Sequence, residues 1–88
     1  MEGESPVYVV FGAYGGVGTA LTRRLAKYAR VLASGRNAET LREFAGDLGV
    51  QHKAADATGF GPVEDVLQDA LERFGRVDGV VNCVGSLL

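Results

Sequence analysis

Residues 7–18, Val7 Tyr8 Val9 Val10 Phe11 Gly12 Ala13 Tyr14 Gly15 Gly16 Val17 Gly18, decide how the rest of the chain is read. Val7 to Phe11 is a run of β-branched and aromatic residues with no polar interruption, the pattern of a strand buried on both faces of a parallel sheet. Gly12, Gly15, Gly16 and Gly18 follow at once. They remove Cβ atoms where a strand must turn sharply into a helix, and they let a large charged group approach the backbone. The unpaired N–H groups and the dipole at the start of that helix favour an anion, so a pyrophosphate is the expected occupant. A glycine loop alone is weak evidence, because any tight turn can recruit one. Its place after a buried strand and before an amphipathic helix is the context that a dinucleotide fingerprint requires.

Outward from the loop, Val17, Leu21, Leu25 and Tyr28 recur at helical spacing and predict the buried face of a first helix, with Arg23, Arg24 and Lys27 turned elsewhere. Arg30 to Ser34 reads as a second strand. Asn37 is a good N-cap for a second helix, whose stripe is Leu41, Phe44, Ala45 and Leu48 and whose stop is Gly49. Val50 to Ala55 predicts a third strand. After the turn Asp56 to Gly59, Pro62 at a first helical position opens a third helix with the stripe Val63, Val66, Leu67, Ala70, Leu71 and Phe74, ended by Gly75. Val77 to Asn82 is the fourth strand.

The order βαβαβαβ with short loops implies an α/β protein: parallel strands, right-handed crossovers and helices on both faces of a doubly wound sheet. With the ligand loop on strand one, the expected spatial order is 3-2-1-4, and the ends of strands one and four should meet at the site.

The 88 residues allow one small domain. With a net charge of −2 and a pI near 5.2 the chain has no broad basic surface for nucleic acid. Arg23, Arg24, Lys27 and Arg30 read as a solvated face near a helix C-terminus. No apolar stretch is long enough for a membrane span. Cys83 is the single cysteine, so no intrachain disulfide can form. A cytoplasmic location is the expectation, with an organelle reached through a removed targeting segment as the other reading.

The end of strand two decides what sits on an adenosine ribose: a carboxylate accepts from a free 2′-hydroxyl, and an arginine accommodates a 2′-phosphate. Here that corner is Ser34, Gly35 and Arg36, with no carboxylate before Glu39. A guanidinium binds phosphate in a bidentate, charge-assisted way, so the corner reads as NADP(H) over NAD(H). Asp56 has two open readings, an acceptor for the adenine amino group or a turn residue bonded to its own backbone. Asn82, at the end of strand four, either braces the seam or touches the cofactor. His52 and Cys83 read as structural, since neither has a partner that would make a metal or catalytic set.

These residues together resemble the N-terminal half of a short-chain dehydrogenase/reductase. The glycine motif TGxxxGxG of that family aligns with Phe11 to Gly18, and its NNAG motif with Asn82 Cys83 Val84 Gly85. The run from Asp56 to Gly85 looks like the family throughout. Such a resemblance implies a single Rossmann-type NADP(H)-binding domain over residues 1–88, truncated relative to the family, which oxidises or reduces alcohols and carbonyls. It implies a pyrophosphate on Gly12, Tyr14, Gly15, Gly16, Val17 and Gly18 and a 2′-phosphate on Arg36. Asp56 and Ala57 would lie on the adenine side, and Asn82, Val84 and Gly85 beside the ribose and nicotinamide.

The chain departs from the pattern at several positions: Phe11 replaces a threonine, Tyr14 a small residue that often touches phosphate, and Cys83 and Val84 an asparagine and an alanine. Gly12, Gly15 and Gly18 also fit the GxxGxxG spacing of the extended branch, although NCVG favours the main branch. The family's serine and Tyr-x-x-x-Lys pair, whose lysine lowers the tyrosine pKa for proton exchange, have no counterpart here. Tyr8, Tyr14 and Tyr28 are followed four positions on by Gly12, Gly18 and Leu32, so no residue is assigned as catalytic.

Strand four would normally be covered by a fifth strand, so its outer edge is expected to seek a partner chain, a second copy or the missing half. Two other functions compete with the oxidoreductase reading. One is a non-catalytic Rossmann-fold module inside a larger complex. The other is methyl transfer from S-adenosylmethionine, against which Arg36 stands, since that chemistry wants an acidic residue at the end of strand two.

Overall fold

The computed structural model describes residues 5–84. Its elements run β1 (Val7–Phe11), α1 (Gly16–Leu25), β2 (Arg30–Ser34), α2 (Ala38–Leu48), β3 (Gln51–His52), α3 (Phe60–Phe74) and β4 (Gly79–Asn82). The strands form one parallel sheet in the order β3-β2-β1-β4, with Val9 opposite both Leu32 and Val80. This is the doubly wound α/β arrangement expected from the sequence.

Alternation along the two central strands builds a core on each face. Val9, Phe11 and Leu32 point to one side and pack with Val66 and Ala70 of α3. Val10, Val31 and Ala33 point to the other and pack with Ala13, with Leu41 of α2 and with the partly buried Leu25 of α1. Leu32, Leu41 and Val66 are fully buried, and each such side chain contributes about 1.5–3 kcal/mol of transfer free energy.

The first helix lies on a different face from the one its periodicity predicts. Val17 is 76% and Tyr28 71% exposed, whereas Gly18 and Thr22 are the buried residues of α1. Close approach decides this. A Cβ on Gly18 would overlap the Gly12 carbonyl oxygen, and Thr22 Oγ1 donates to Ala13 O at 3.4 Å. The helix therefore seats its small residues against the loop, and a rotation by one residue turns Val17 outward.

Three boundaries also shift. β3 shrinks to Gln51–His52 because it pairs with β2 alone, yet Lys53 N and Ala55 N still donate to Ala33 O (3.0 Å) and Gly35 O (2.9 Å). α3 starts at Phe60 with Gly59 as N-cap, so Pro62 lies inside the first turn, where N–H groups lack intrahelical partners anyway. Leu71, placed in the stripe of that helix, is 46% exposed. β4 begins at Gly79, its start fixed by Asp78, whose N–H donates to Val7 O and whose Oδ2 accepts the Val7 N–H, both at 2.8 Å. Asn37 caps α2 through Oδ1 on the Thr40 N–H, as its position suggested. Among the described residues no helix is long and apolar enough to cross a membrane.

Candidate functional site

The carboxyl ends of β1, β2 and β4 meet in one cleft of about 200 Å³. Its floor is the β1–α1 loop with Phe11, Gly12, Tyr14 and Gly15, one wall is Ser34, Gly35 and Arg36, and the rest is Ala55, Ala57, Cys83 and Val84. A larger hollow of about 790 Å³ runs along the outside of α1 between Val17, Leu21, Tyr28 and the basic Arg23, Arg24 and Lys27. It is lined by α1 and the turn that follows it. The smaller cleft brings together groups from several elements at the switch in winding direction, where such sheets bind ligands.

The four loop glycines divide into two kinds. Gly12 has φ +72°, and a Cβ there would stand 2.7–2.8 Å from the backbone of Cys83 and Val84. Gly12 and Gly18 are thus required for packing within the chain. Gly15 and Gly16 are not, since a Cβ on Gly16 would meet nothing within 4 Å and one on Gly15 only the Gly12 carbonyl oxygen at 3.7 Å. Their bareness leaves open space in front of the start of α1, where no side chain caps the helix. The loop is held by the Gly12 and Ala13 N–H groups, which donate to Ser34 O at 2.9 and 3.1 Å.

Around this floor the sequence-expected residues take definite places. Arg36 is exposed and lines the cleft, close enough to Asp56 to help lower its pKa. Asp56 stands in a turn, its Oδ1 accepting the Thr58 hydroxyl at 2.7 Å and the Thr58 N–H at 3.0 Å, and these bonds are the main cause of its lowered pKa. Asn82 Oδ1 accepts the Val84 N–H at 3.0 Å and shapes the turn after β4, while Cys83 N–H donates to Phe11 O at 2.8 Å. Gly85 lies outside the described residues. Val17 is on α1 near the open helix start but points to solvent.

One feature of the cleft was invisible to sequence reasoning. Ser34 is fully buried, lines the cleft, and its Oγ has no hydrogen-bond partner among the described residues. Among the described residues no three His, Cys, Asp or Glu side chains converge.

A parallel sheet of this order with a glycine loop at its switch point defines a nucleotide-binding class of fold. The chain belongs to the short chain dehydrogenase family, whose model matches residues 6–87. It is 36% identical over 85 residues to an uncharacterized oxidoreductase of Staphylococcus epidermidis, covering 93% of this chain and 37% of that protein. To a 3-oxoacyl-[acyl-carrier-protein] reductase of Bos taurus it is 35% identical over 82 residues, covering 90% and 35%. Among solved structures, a 3-ketoacyl-(acyl-carrier-protein) reductase from Brucella melitensis complexed with NADH superposes with a TM-score of 0.80 at 30% identity, covering 88% of this chain and 33% of that one. The chain thus spans little more than a third of the length of the relatives it matches.

Proposed function

We propose that this chain is the cofactor-binding portion of a short-chain oxidoreductase acting on an alcohol or carbonyl, and that it prefers NADP(H). One observation carries the reading: open backbone at Gly15, the uncapped N-cap of α1, lines the same cleft as Arg36, whose side chain is exposed. The bare loop and the α1 N–H groups would take the pyrophosphate. Arg36 would take a 2′-phosphate by a charge-assisted bond, with Tyr14 beside it. Ala57 and Asp56, whose Oδ2 is not used by Thr58, would border the adenine, and Asn82 and Val84 the ribose.

The bound dinucleotide would supply hydride exchange with the alcohol or carbonyl carbon. What this chain contributes is binding and orientation, within a single domain, and we assign it no catalytic residue. A cytoplasmic setting fits Cys83 as a free thiol. Among the described residues β4 pairs only with β1 and Val80 is 50% exposed, an edge that a further strand or a partner chain would cover in the working protein.

The test is calorimetric titration of the chain with NADPH and NADH, repeated on Arg36→Ala. A preference for NADPH is expected, and Arg36→Ala should reduce it about tenfold or more, the loss of one charge-assisted phosphate contact. Equal affinities in the parent, or a preference that survives the substitution, would overturn the assignment.

A further inference from the structure

Of the large apolar side chains exposed among the described residues, all but Val80 fall on two helix faces. Val17 and Tyr28 line one hollow along α1 and the turn after it, with Leu21 between them. Phe60, 81% exposed, and Leu71 stand on α3. They are eleven residues apart, about three helical turns, so they mark the two ends of one face. Val17 and Tyr28 are separated by the same interval. The two apolar surfaces therefore match in length.

They differ in charge. Arg23, Arg24 and Lys27 line the hollow on α1, and no acidic residue does. On α3 the exposed charges beside Phe60 and Leu71 are Glu64, Asp65 and Glu72. Glu64 is four residues from Phe60 and seven from Leu71, which places it on their face. None of these six charges has an ion-pair partner among the described residues. Leu25 of α1 packs with the cluster on one side of the sheet, and Val66 of α3 with the cluster on the other. The basic and the acidic surface thus point away from each other, and one copy cannot close them on itself.

We propose that the α1 face of one copy docks against the α3 face of a second copy, with Arg23, Arg24 and Lys27 opposite Glu64, Asp65 and Glu72. Burial of Val17, Tyr28, Phe60 and Leu71 drives the contact. The charges choose the partner face, since α1 on α1, or α3 on α3, would bring like charges together. A contact between unlike surfaces leaves one free face of each kind on a dimer, so further copies add. Neither surface includes the β4 edge, and the contact is separate from whatever covers Val80.

Sedimentation equilibrium of the full chain, from micromolar to millimolar concentration, tests this. The average mass is expected to climb past twice 9.2 kDa as concentration rises, and to fall back as salt is added and the exposed charges are screened. A parent that stays at 9.2 kDa throughout, or an association indifferent to salt, overturns the proposal.

Tyr28→Asp spoils the α1 face and Leu71→Asp the α3 face, each at an exposed position. Each variant alone should be monomeric. Mixed in equal amounts, the two should form a 1:1 dimer and stop there, because one intact face of each kind remains between them. Association that survives either substitution, or a mixture that stays monomeric, overturns the proposal. Val17→Ser and Phe60→Ser repeat the pair of experiments at second positions and serve in place of any aspartate variant that fails to melt cooperatively. Phosphatidylserine vesicles test the other occupant of a basic apolar face. A parent that is monomeric alone but sediments with the vesicles, and loses this in Tyr28→Asp, would assign the α1 face to a membrane and overturn the proposal.

Discussion

Gly12 and Cys83 meet backbone to backbone: a Cβ on Gly12 would stand 2.7 Å from the Cys83 carbonyl carbon and 2.8 Å from its oxygen. That contact is where the loop after β1 is clasped against the end of β4, and Cys83 N–H to Phe11 O at 2.8 Å closes it from the other side. Gly12→Ala adds both a backbone clash and a side chain at φ +72°, so it should cost roughly 2–4 kcal/mol. Urea unfolding of the variant checks this, and a loss under about 1 kcal/mol would mean the clasp is looser than described.

Gly16 and Gly18 are two residues apart and should respond in opposite ways. Gly18→Ala forces α1 away from the Gly12 carbonyl and is expected to destabilise by about 2 kcal/mol or more. Gly16→Ala meets open space and favours the helix, so stability should stay level or rise by up to about 1 kcal/mol. The same Gly16→Ala should weaken dinucleotide binding, because its methyl enters the space before the helix start. Thermal melts with and without NADPH distinguish the two effects.

The placement of α1 can be tested against the stripe its sequence suggests. Val17→Ser, at a residue 76% exposed, should change stability by no more than about 0.5 kcal/mol. Leu32→Ala, at a fully buried position, should cost about 3–5 kcal/mol. If Val17→Ser proved as damaging as Leu32→Ala, the helix would be turned the other way.

Asp78 ties the foot of β1 to the foot of β4 by accepting the Val7 N–H while pairing with Arg76 at 2.6 Å. The Arg76 contacts, then the Val7 N–H, hold its carboxyl below the ordinary value of 3.8. A carboxylate with a lowered folded pKa stabilises fully above its unfolded pKa, and the contribution disappears as pH falls through the folded value. Stability should therefore drop on acidification below about pH 4. Asp78→Asn should flatten that limb of the stability curve while lowering the plateau at neutral pH; an unaltered limb would show that other carboxylates carry it.

The chain order, the parallel sheet and the cap at Asn37 were legible because each is written locally. Val7 to Phe11 has a strand's composition, Gly12 to Gly18 has a turn's, and Asn37 has a cap's. The face of α1 was not legible, because periodicity ranks residues by hydrophobicity and cannot see that the Gly12 carbonyl leaves no room for a Cβ at residue 18. The apolar pattern of Val17, Leu21 and Tyr28 is real but faces away from the described core. β3 was read too long because composition does not reveal which strand is last in the sheet. Tyr14 was placed at the site by its position in the glycine motif. The bond its hydroxyl accepts from the Asn37 N–H depends on how far α2 stands from the loop, which only the fold determines.

The two central strands are covered on both faces, while among the described residues β4 is flanked on one side only and exposes Val80. Amide protons should therefore exchange at very different rates across one small sheet, those of β1 and β2 only through global opening and those of β4 through local fraying. The cleft straddles that boundary, with one wall in the slowest-exchanging part of the chain and the other in a faster one. A ligand taken up by the cleft would touch both walls. Once seated it bridges the two walls, so the clearest mark of its arrival should be slowed exchange at Cys83 and Val84.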